Sequence, residues 1–154
     1  MAKLQLQLVT PERTVLAEEL DSLTCQTTNG EITILPGHTP LIAPLVSGEL
    51  IGRTGMSGTD GERNVHVAGG FVQVKESGEV VILADTAERF FEIDIERAEQ
   101  AKAEAEQMLK EQTLSDEEYA FTMALIQKNT TRLHIARKHA HRNTRITSEG
   151  VLKE

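Results

Sequence analysis

Cysteine, aromatic residues and long apolar runs are scarce in this sequence of 154 residues, which has one cysteine, one tyrosine and no tryptophan. A single cysteine forms no internal disulfide and supplies no cysteine-rich metal site, so we interpret Cys25 as a small buried side chain. No run reaches the roughly 18 to 20 apolar residues that cross a bilayer, and residues 1–9 lack the segments of a signal peptide. We therefore expect a protein made and kept in the cytoplasm, with no direct membrane insertion.

Positive charge and catalytic motifs are also scarce. The chain has 16 Lys and Arg residues and 24 Asp and Glu residues, which gives a net charge of −8. A nucleic-acid-binding protein usually carries net positive charge. The HExxH, phosphate-loop and GxSxG patterns are absent, so the chemistry that depends on them is not indicated. We predict no nucleic-acid partner, no catalytic residues and no metal site.

Glycine and proline are absent from residues 79–149, whereas all four prolines and ten of the eleven glycines precede residue 79. These residues mark turns and are costly inside helices. The distribution predicts a turn-rich β structure in the front of the chain and long helices in the back. We place the boundary between Asp85 and Phe91.

The front of the chain has the pattern of short strands. Leu4, Leu6 and Leu8 alternate with polar residues, the period of two that buries one face of a strand. Turn signals such as Asn29-Gly30 separate the runs that follow. We predict strands beginning at residue 4 and at residues 20–27, 32–35, 49–53, 64–68, 71–75 and 80–84. The predicted fold class is α+β, with an N-terminal antiparallel β-sandwich or barrel followed by a C-terminal α-helical hairpin.

The back of the chain predicts two helices. A narrow and mostly alanine stripe at helical spacing indicates the first helix, with Asp94 as its N-cap. Ser115 followed by Glu118 fits a capping box, which starts the second helix near Asp116. On that helix we predict an apolar face of Tyr119, Met123 and Ile126, which modest helix formers at residues 129–131 interrupt before Leu133 and Ala136.

Charge divides this hairpin. Residues 85–118 carry twelve acidic and four basic side chains, whereas residues 119–148 carry six basic and no acidic ones. Two interpretations stay open. The faces attract each other within the hairpin, at about 0.2 to 1 kcal/mol for each exposed pair, or the basic arm leaves the hairpin and docks on an acidic partner.

Four segments together carry a family resemblance. They are GEITILPGHTPLI at residues 30–42, GEL at 48–50, VAGGFV at 67–72 and VVILADTA at 80–87. On these motifs the chain resembles, over roughly residues 3–140, the epsilon subunit of F-type ATP synthases. The resemblance implies a β-sandwich rotor-binding domain at residues 1–87, a helical hairpin regulatory domain at 88–142 and a C-terminal tail at 143–154.

The resemblance also implies a function. It indicates a non-catalytic central-stalk subunit that couples the gamma subunit to the c-ring during proton-driven ATP synthesis and inhibits ATP hydrolysis through its C-terminal helices. Such a subunit lies peripherally on the cytoplasmic face of the cell (inner) membrane and meets the alpha/beta catalytic head. By position in the family pattern, the c-ring contact is implied for Asn29, Gly30 and Glu31, and the gamma contact for His38. Gly30 also has a simpler interpretation, a positive φ in a tight turn.

A nucleotide-binding pattern of the family, I/L-D-x-x-R-A, is present at Ile93, Asp94, Arg97 and Ala98, and basic residues of the second helix complete it at Lys128 and Arg132. The resemblance therefore implies regulatory ATP and no other cofactor. Lys128 stands where strong binders carry arginine, and it supplies a point charge in place of forked contacts. The alternative interpretation is a helix start with a salt bridge inside the hairpin.

The positive charge of the second helix predicts an inhibitory arm at Arg132, Arg137 and Arg142, because the resemblance implies catalytic beta subunits that present an acidic loop to this region. A second functional hypothesis is a free-standing ATP-sensing module that binds small ligands at the same hairpin site. A rotor subunit should co-purify with gamma, whereas a free-standing binder should be monomeric and hold ATP tightly alone.

Overall fold

A computed structural model describes residues 2–55 and 61–140 of the chain. The chain divides into two compact units, with the division between Arg89 and Phe90. Within the described residues, the first unit holds ten strands in two five-stranded sheets, and the second holds two long helices. The predicted fold class, a β-sandwich followed by a helical hairpin, is confirmed.

The strands are short, as the close spacing of the turn signals predicts. In chain order they are β1 (Leu4–Val9), β2 (Thr14–Leu20), β3 (Ser22–Thr27), β4 (Gly30–Ile34), β5 (Leu41–Pro44), β6 (Gly48–Arg53), β7 (Glu62–Ala68), β8 (Phe71–Val74), β9 (Glu79–Leu83) and β10 (Thr86–Arg89).

The first sheet has the strand order β2-β1-β9-β8-β5 and the second the order β10-β7-β6-β3-β4. Neighbouring strands are antiparallel except β1 and β9, which run parallel. The prediction of a wholly antiparallel sandwich was therefore wrong at this one pair. Alternate residues of the strands fill the core, among them Leu4, Leu6, Leu8, Val72, Val74, Val80 and Ile82.

The sequence prediction missed three strands. They are β2, which shares only Leu20 with the predicted strand at residues 20–27, β5, which ends in a proline, and β10, which carries charged residues. The remainder of the predicted strand at 20–27 is β3, which begins at Ser22. Proline is tolerated in β5 because it is an edge strand of its sheet.

The second unit begins with a short 3₁₀ helix (Phe90–Glu92), followed by α1 (Ile95–Glu111) and α2 (Asp116–Lys138). Both predicted caps are confirmed. The Asp94 carboxylate accepts the backbone N–H of Arg97 at 3.2 Å, and the Ser115 hydroxyl accepts that of Glu118 at the same distance. In the described part of the chain, no helix is long and apolar enough to span a membrane.

The apolar face predicted for α2 was wrong in its first half. Tyr119 and Met123 are exposed, whereas the polar Thr122 and Asn129 are buried. In the second half, Leu133 and Ala136 are buried as predicted. The helix also continues without a break through residues 129–131. The polar side chains there bond back to the helix, as with the Thr130 hydroxyl, which donates to the Ile126 carbonyl at 2.7 Å.

Candidate functional site

The outer face of the first sheet is the most distinctive surface of the sandwich, and we call it the docking face. Outward positions of a solvated antiparallel sheet are normally polar. Here Ile42 is 69% exposed, Leu83 57% and Phe71 55%. Contiguous exposed apolar side chains of this size mark interaction sites more often than ordinary surface.

Strand register arranges the docking face in three rows across the sheet. The first row is Thr14, Val9, Leu83, Phe71 and Pro44, the second is Ala17, Gln7, Val81, Gln73 and Ile42, and the third is Glu19, Gln5, Glu79 and Lys75. The first row is apolar except for Thr14 at its β2 end, and the second has no charge. The docking face therefore changes from apolar to charged along the strands.

The charged row is already paired within the sheet. The Lys75 ammonium lies 3.4 Å from a Glu79 carboxylate oxygen, and the Gln5 amide donates to the Glu19 carboxylate at 2.8 Å. A partner that docks on this face would therefore bury the side chains of the two uncharged rows and leave the paired charges in water. Desolvating apolar side chains is favourable, whereas desolvating charges is costly.

The turn between β3 and β4 carries the residues implied for the c-ring contact. Gly30 has a φ of 109°, which confirms the positive φ expected of the turn. The Thr27 hydroxyl fixes the turn because it donates to the Gly30 carbonyl at 2.7 Å and accepts the N–H of Asn29 at 3.2 Å. Asn29, Gly30 and Glu31 are all exposed. The turn is thus a rigid and accessible projection of the second sheet.

His38, the residue implied for the gamma contact, lies in the loop that leads into β5. Its ring Nδ1 is 2.7 Å from the carbonyl oxygen of Thr39, and its backbone N–H donates to the carbonyl of Leu35. Pro40, two residues further, lines a surface groove of about 510 Å³ with Ile42 and Gln73 of the docking face. His38 therefore stands beside the edge of that face.

The β3–β4 turn lies at the opposite end of β5. The Thr28 N–H, which follows β3, donates to the carbonyl of Pro44 at 3.2 Å, and Pro44 belongs to the apolar row of the docking face. The turn and the His38 loop thus flank the docking face at its two ends. Sequence reasoning missed this face. The available signal was that Ile42, Phe71 and Leu83 are apolar residues at the alternate positions of their strands that face away from the core.

Nucleotide-pattern residues divide into buried and exposed groups. Ile93 packs with Phe90 and Ile135 in a small apolar cluster, and Ala98 is fully buried. Asp94 and Arg97 are exposed, with Asp94 acting as the helix cap. The apolar members therefore hold the base of the hairpin together, and only the charged members face solvent.

Lys128 and Arg132 lie further along the hairpin. Ile135 and Ala136 of α2 pack with Ile93 and Ile95 at the start of α1. Arg132 lies one turn before Ala136, and Lys128 one turn before Arg132. These two cations are therefore on the part of α2 that runs alongside the Arg97 end of α1.

Among the three arm residues, two lie in the described part of the chain. Arg137 is exposed and pairs with Glu99, while the Arg132 guanidinium donates to the Asn129 side-chain oxygen at 2.8 Å. Arg142 and the tail at 143–154 lie outside the described residues. Both described arginines are held by contacts within the hairpin.

Cys25 is buried in the core of the sandwich, as the sequence predicts. Burial, with a smaller contribution from the Glu31 carboxylate, raises the pKa of its thiol to about 11. The thiolate is the reactive form of cysteine. This side chain therefore stays protonated and serves packing.

Two family profiles match the chain. One, described as the beta-sandwich domain of the ATP synthase Delta/Epsilon chain, matches residues 3–90. The other, described as its long alpha-helix domain, matches residues 92–137. The two matches follow each other in the order of the two structural units.

Curated relatives are similar over most of the chain. The ATP synthase epsilon chain of Dehalococcoides mccartyi is 41% identical over 138 residues, which cover 90% of this chain and 95% of that protein. That of Herpetosiphon aurantiacus is 40% identical over 90% of this chain and 98% of that protein. That of Desulforamulus reducens is 48% identical over 71% and 80%.

Solved structures are similar as well. A chain of the mitochondrial ATP synthase of Euglena gracilis, in a structure described as OSCP/F1/c-ring, gives a TM-score of 0.71 at 25% identity over 85% of this chain and 79% of that one. A chain from the central stalk/c-ring structure of Tetrahymena thermophila gives 0.57 at 18% identity, over 85% and 96%. The second shares the fold alone.

Proposed function

Since the chain belongs to the ATP synthase delta/epsilon family, we propose that it is a non-catalytic rotor subunit that joins the gamma subunit to the c-ring and restrains ATP hydrolysis through its helical hairpin. The docking face is the observation that carries this proposal. In this role the protein lies peripherally on the cytoplasmic face of the cell membrane. No bond chemistry is assigned to it.

The gamma subunit is the proposed occupant of the docking face. The two uncharged rows of the docking face offer Leu83, Phe71 and Ile42 for burial, and protein interfaces commonly have such an apolar centre with a polar rim. The charged third row and His38 supply that rim. A permanent contact of this kind suits a subunit that must turn together with its partner.

The c-ring contact is proposed for the β3–β4 turn. Asn29 and Glu31 are polar and exposed, and the Thr27 hydroxyl holds the turn rigid. Because this turn emerges beside Pro44 at the apolar end of the docking face, one end of the sandwich reaches both partners. Rigidity at this point favours the transmission of torque.

The hairpin is proposed as the regulatory element. Arg132, Arg137 and Arg142 would exchange their contacts inside the hairpin for contacts with acidic groups of the catalytic head. Exposed ion pairs are worth about 0.2 to 1 kcal/mol each. The exchange is therefore nearly balanced and responds to small changes in ligand or salt.

The experiment adds the full chain to a complex of alpha, beta and gamma subunits purified without it. We expect binding that requires gamma and a fall in the rate of ATP hydrolysis. A variant with all three arm arginines replaced by alanine should bind equally but leave hydrolysis roughly tenfold faster than the native chain does, because three weak ion pairs are lost. Substitution of Lys102 and Lys110 on α1 by alanine is the control.

Binding that persists without gamma, or no binding at all, would contradict the rotor role. The free-standing ATP-sensing module, the second hypothesis, would then be favoured. Equal inhibition by the native chain and the arginine variant would show that the arm does not act through these charges. The two outcomes test the two halves of the proposal separately.

Regulatory ATP is proposed for the hairpin because cations of both helices lie near the same end of it. Arg97 is in the first turn of α1, and Arg132 and Lys128 are on the part of α2 next to Ile135 and Ala136, which pack against Ile93 and Ile95. A nucleoside triphosphate bound across the two helices would reach both groups. A bound ATP would then stabilise the closed form, since it would contact both helices.

Calorimetry of the isolated chain tests this site. Arg97→Ala should abolish ATP binding, and Lys128→Arg should tighten it several-fold because arginine adds forked contacts to phosphate. Lys110→Ala, an exposed cation near the other end of α1, should leave affinity unchanged. No detectable binding at millimolar ATP would reduce the motif to a helix cap with its neighbouring charges.

A further inference from the structure

Two of the five buried residues of α2 are polar, Thr122 and Asn129. They share one face of the helix with Leu133, which is also buried. Arg137, one turn beyond Leu133, pairs with Glu99 of α1. This pair turns the buried face of α2 toward α1.

α1 offers little apolar surface to meet that face. Its buried residues are Ala98 and Ala105, and a methyl group buries far less apolar area than a leucine side chain. Ile135 and Ala136 pack with Ile93 and Ile95, which sets the antiparallel register and places Asn129 between the levels of Ala98 and Ala105 along the helix pair. The amide is therefore buried in the part of the pair where the buried residues of α1 are alanines. We call Thr122, Asn129, Ala98 and Ala105 the polar seam.

Both ends of the Asn129 side chain are used. Its amide nitrogen donates to the Leu125 carbonyl at 2.9 Å, and its oxygen accepts from the Arg132 guanidinium at 2.8 Å. The Leu125 carbonyl also lies at the position that accepts the helical N–H of residue 129. Arg132 is only half-buried and carries five donors. Loss of the amide would therefore leave no buried group without a partner.

We propose that the polar seam sets how easily the hairpin opens, with Asn129 as the residue that keeps its closed form marginal. Burying an amide gains less free energy than burying an apolar group of similar size, even when the amide is hydrogen-bonded. The seam thus lowers the stability of the helix pair without disturbing either helix. This inference deepens the proposed regulation by naming the residues that balance the closed and open forms.

Native-state hydrogen exchange of the isolated full-length chain tests the seam. Asn129→Leu and Asn129→Ala should slow exchange of the amides at residues 126–133. Thr130 provides matched controls, because it is exposed, adjacent and bonded back to the helix in the same way as Asn129. Thr130→Leu and Thr130→Ala gain comparable helix propensity but change no buried group.

We expect each Asn129 variant to slow exchange about tenfold more than its Thr130 counterpart, as expected when a buried polar group is replaced by an apolar one. Amides of the sandwich should be unchanged, and circular dichroism should show the native helix content. Equal slowing at the two positions would assign the effect to helix propensity and overturn the proposal. Faster exchange in both Asn129 variants would also overturn it, since the amide would then stabilise the closed form.

This measurement needs neither gamma nor ATP. A failed binding or hydrolysis experiment would leave the exchange result intact, because opening is observed in the chain alone. A failed exchange experiment would equally leave the rotor role intact. The two proposals are therefore tested independently.

Discussion

Replacing Gly70 by alanine is expected to destabilise the sandwich by several kcal/mol. Gly70 has a φ of 104°, and an added Cβ would lie 2.0 Å from the Leu83 carbonyl oxygen and 2.8 Å from the Ala84 Cα. Both are backbone atoms of the neighbouring chain segment, so no side-chain rotation relieves the clash. The positive φ alone costs roughly 1 to 2 kcal/mol, and displacing backbone in a packed sheet adds more.

Gly78 supplies the matched control. Its φ is 90°, close to that of Gly70, but a Cβ there would meet nothing within 4 Å. Gly78→Ala should therefore cost only the conformational part, about 1 kcal/mol. Urea unfolding of both variants, followed by circular dichroism, gives the comparison. Equal destabilisation would show that the segment at Leu83 and Ala84 moves aside at little cost.

The conformation of Gly70 also shapes the docking face. Gly70 precedes Phe71 directly, and its carbonyl accepts the N–H of Leu45 at 2.8 Å. The close approach of this glycine to β9 is what allows Phe71 to lie opposite Leu83 in the apolar row. The turn at Gly70 therefore contributes to stability and also positions Phe71, part of the proposed gamma contact.

Local chemistry explains how much of the fold was predictable. Glycine and proline usage separated strands from helices, and Asp94 and Ser115 acted as the caps their positions predict. The parallel pairing of β1 with β9 was not predictable, because it joins segments some 70 residues apart and neither carries a signal for it. The buried face of α2 was missed because Thr122 and Asn129 are polar, and apolar periodicity pointed to Tyr119.

The candidate site was predictable to a different degree. The family resemblance supplied the Gly30 turn and His38 as expected contacts, but it supplied no surface between them. The docking face appears only when strand register is known, since Phe71, Leu83 and Pro44 are distant in sequence and adjacent across the sheet. Each looks like an ordinary apolar strand residue when considered alone.

The double substitution Phe71→Lys and Leu83→Glu is expected to weaken binding to the gamma-containing complex by about hundredfold. The two side chains lie opposite each other on β8 and β9, so the new charges can pair across the strands and the sandwich should keep its stability. Docking would instead bury two charges where two apolar side chains were buried. Two central contacts worth about 1.4 kcal/mol each account for the expected loss.

Gln5→Lys is the control for this change, because it adds a charge to the same face in the row that is already polar. We expect its affinity to fall by less than about threefold, as is usual for rim charges. Titration of each variant into the complex gives the affinity, and urea unfolding confirms that the sandwich is intact. Native affinity in a folded double variant would move the gamma contact away from the docking face. It would leave the exposed row of Val9, Leu83, Phe71 and Pro44 without the partner proposed for it.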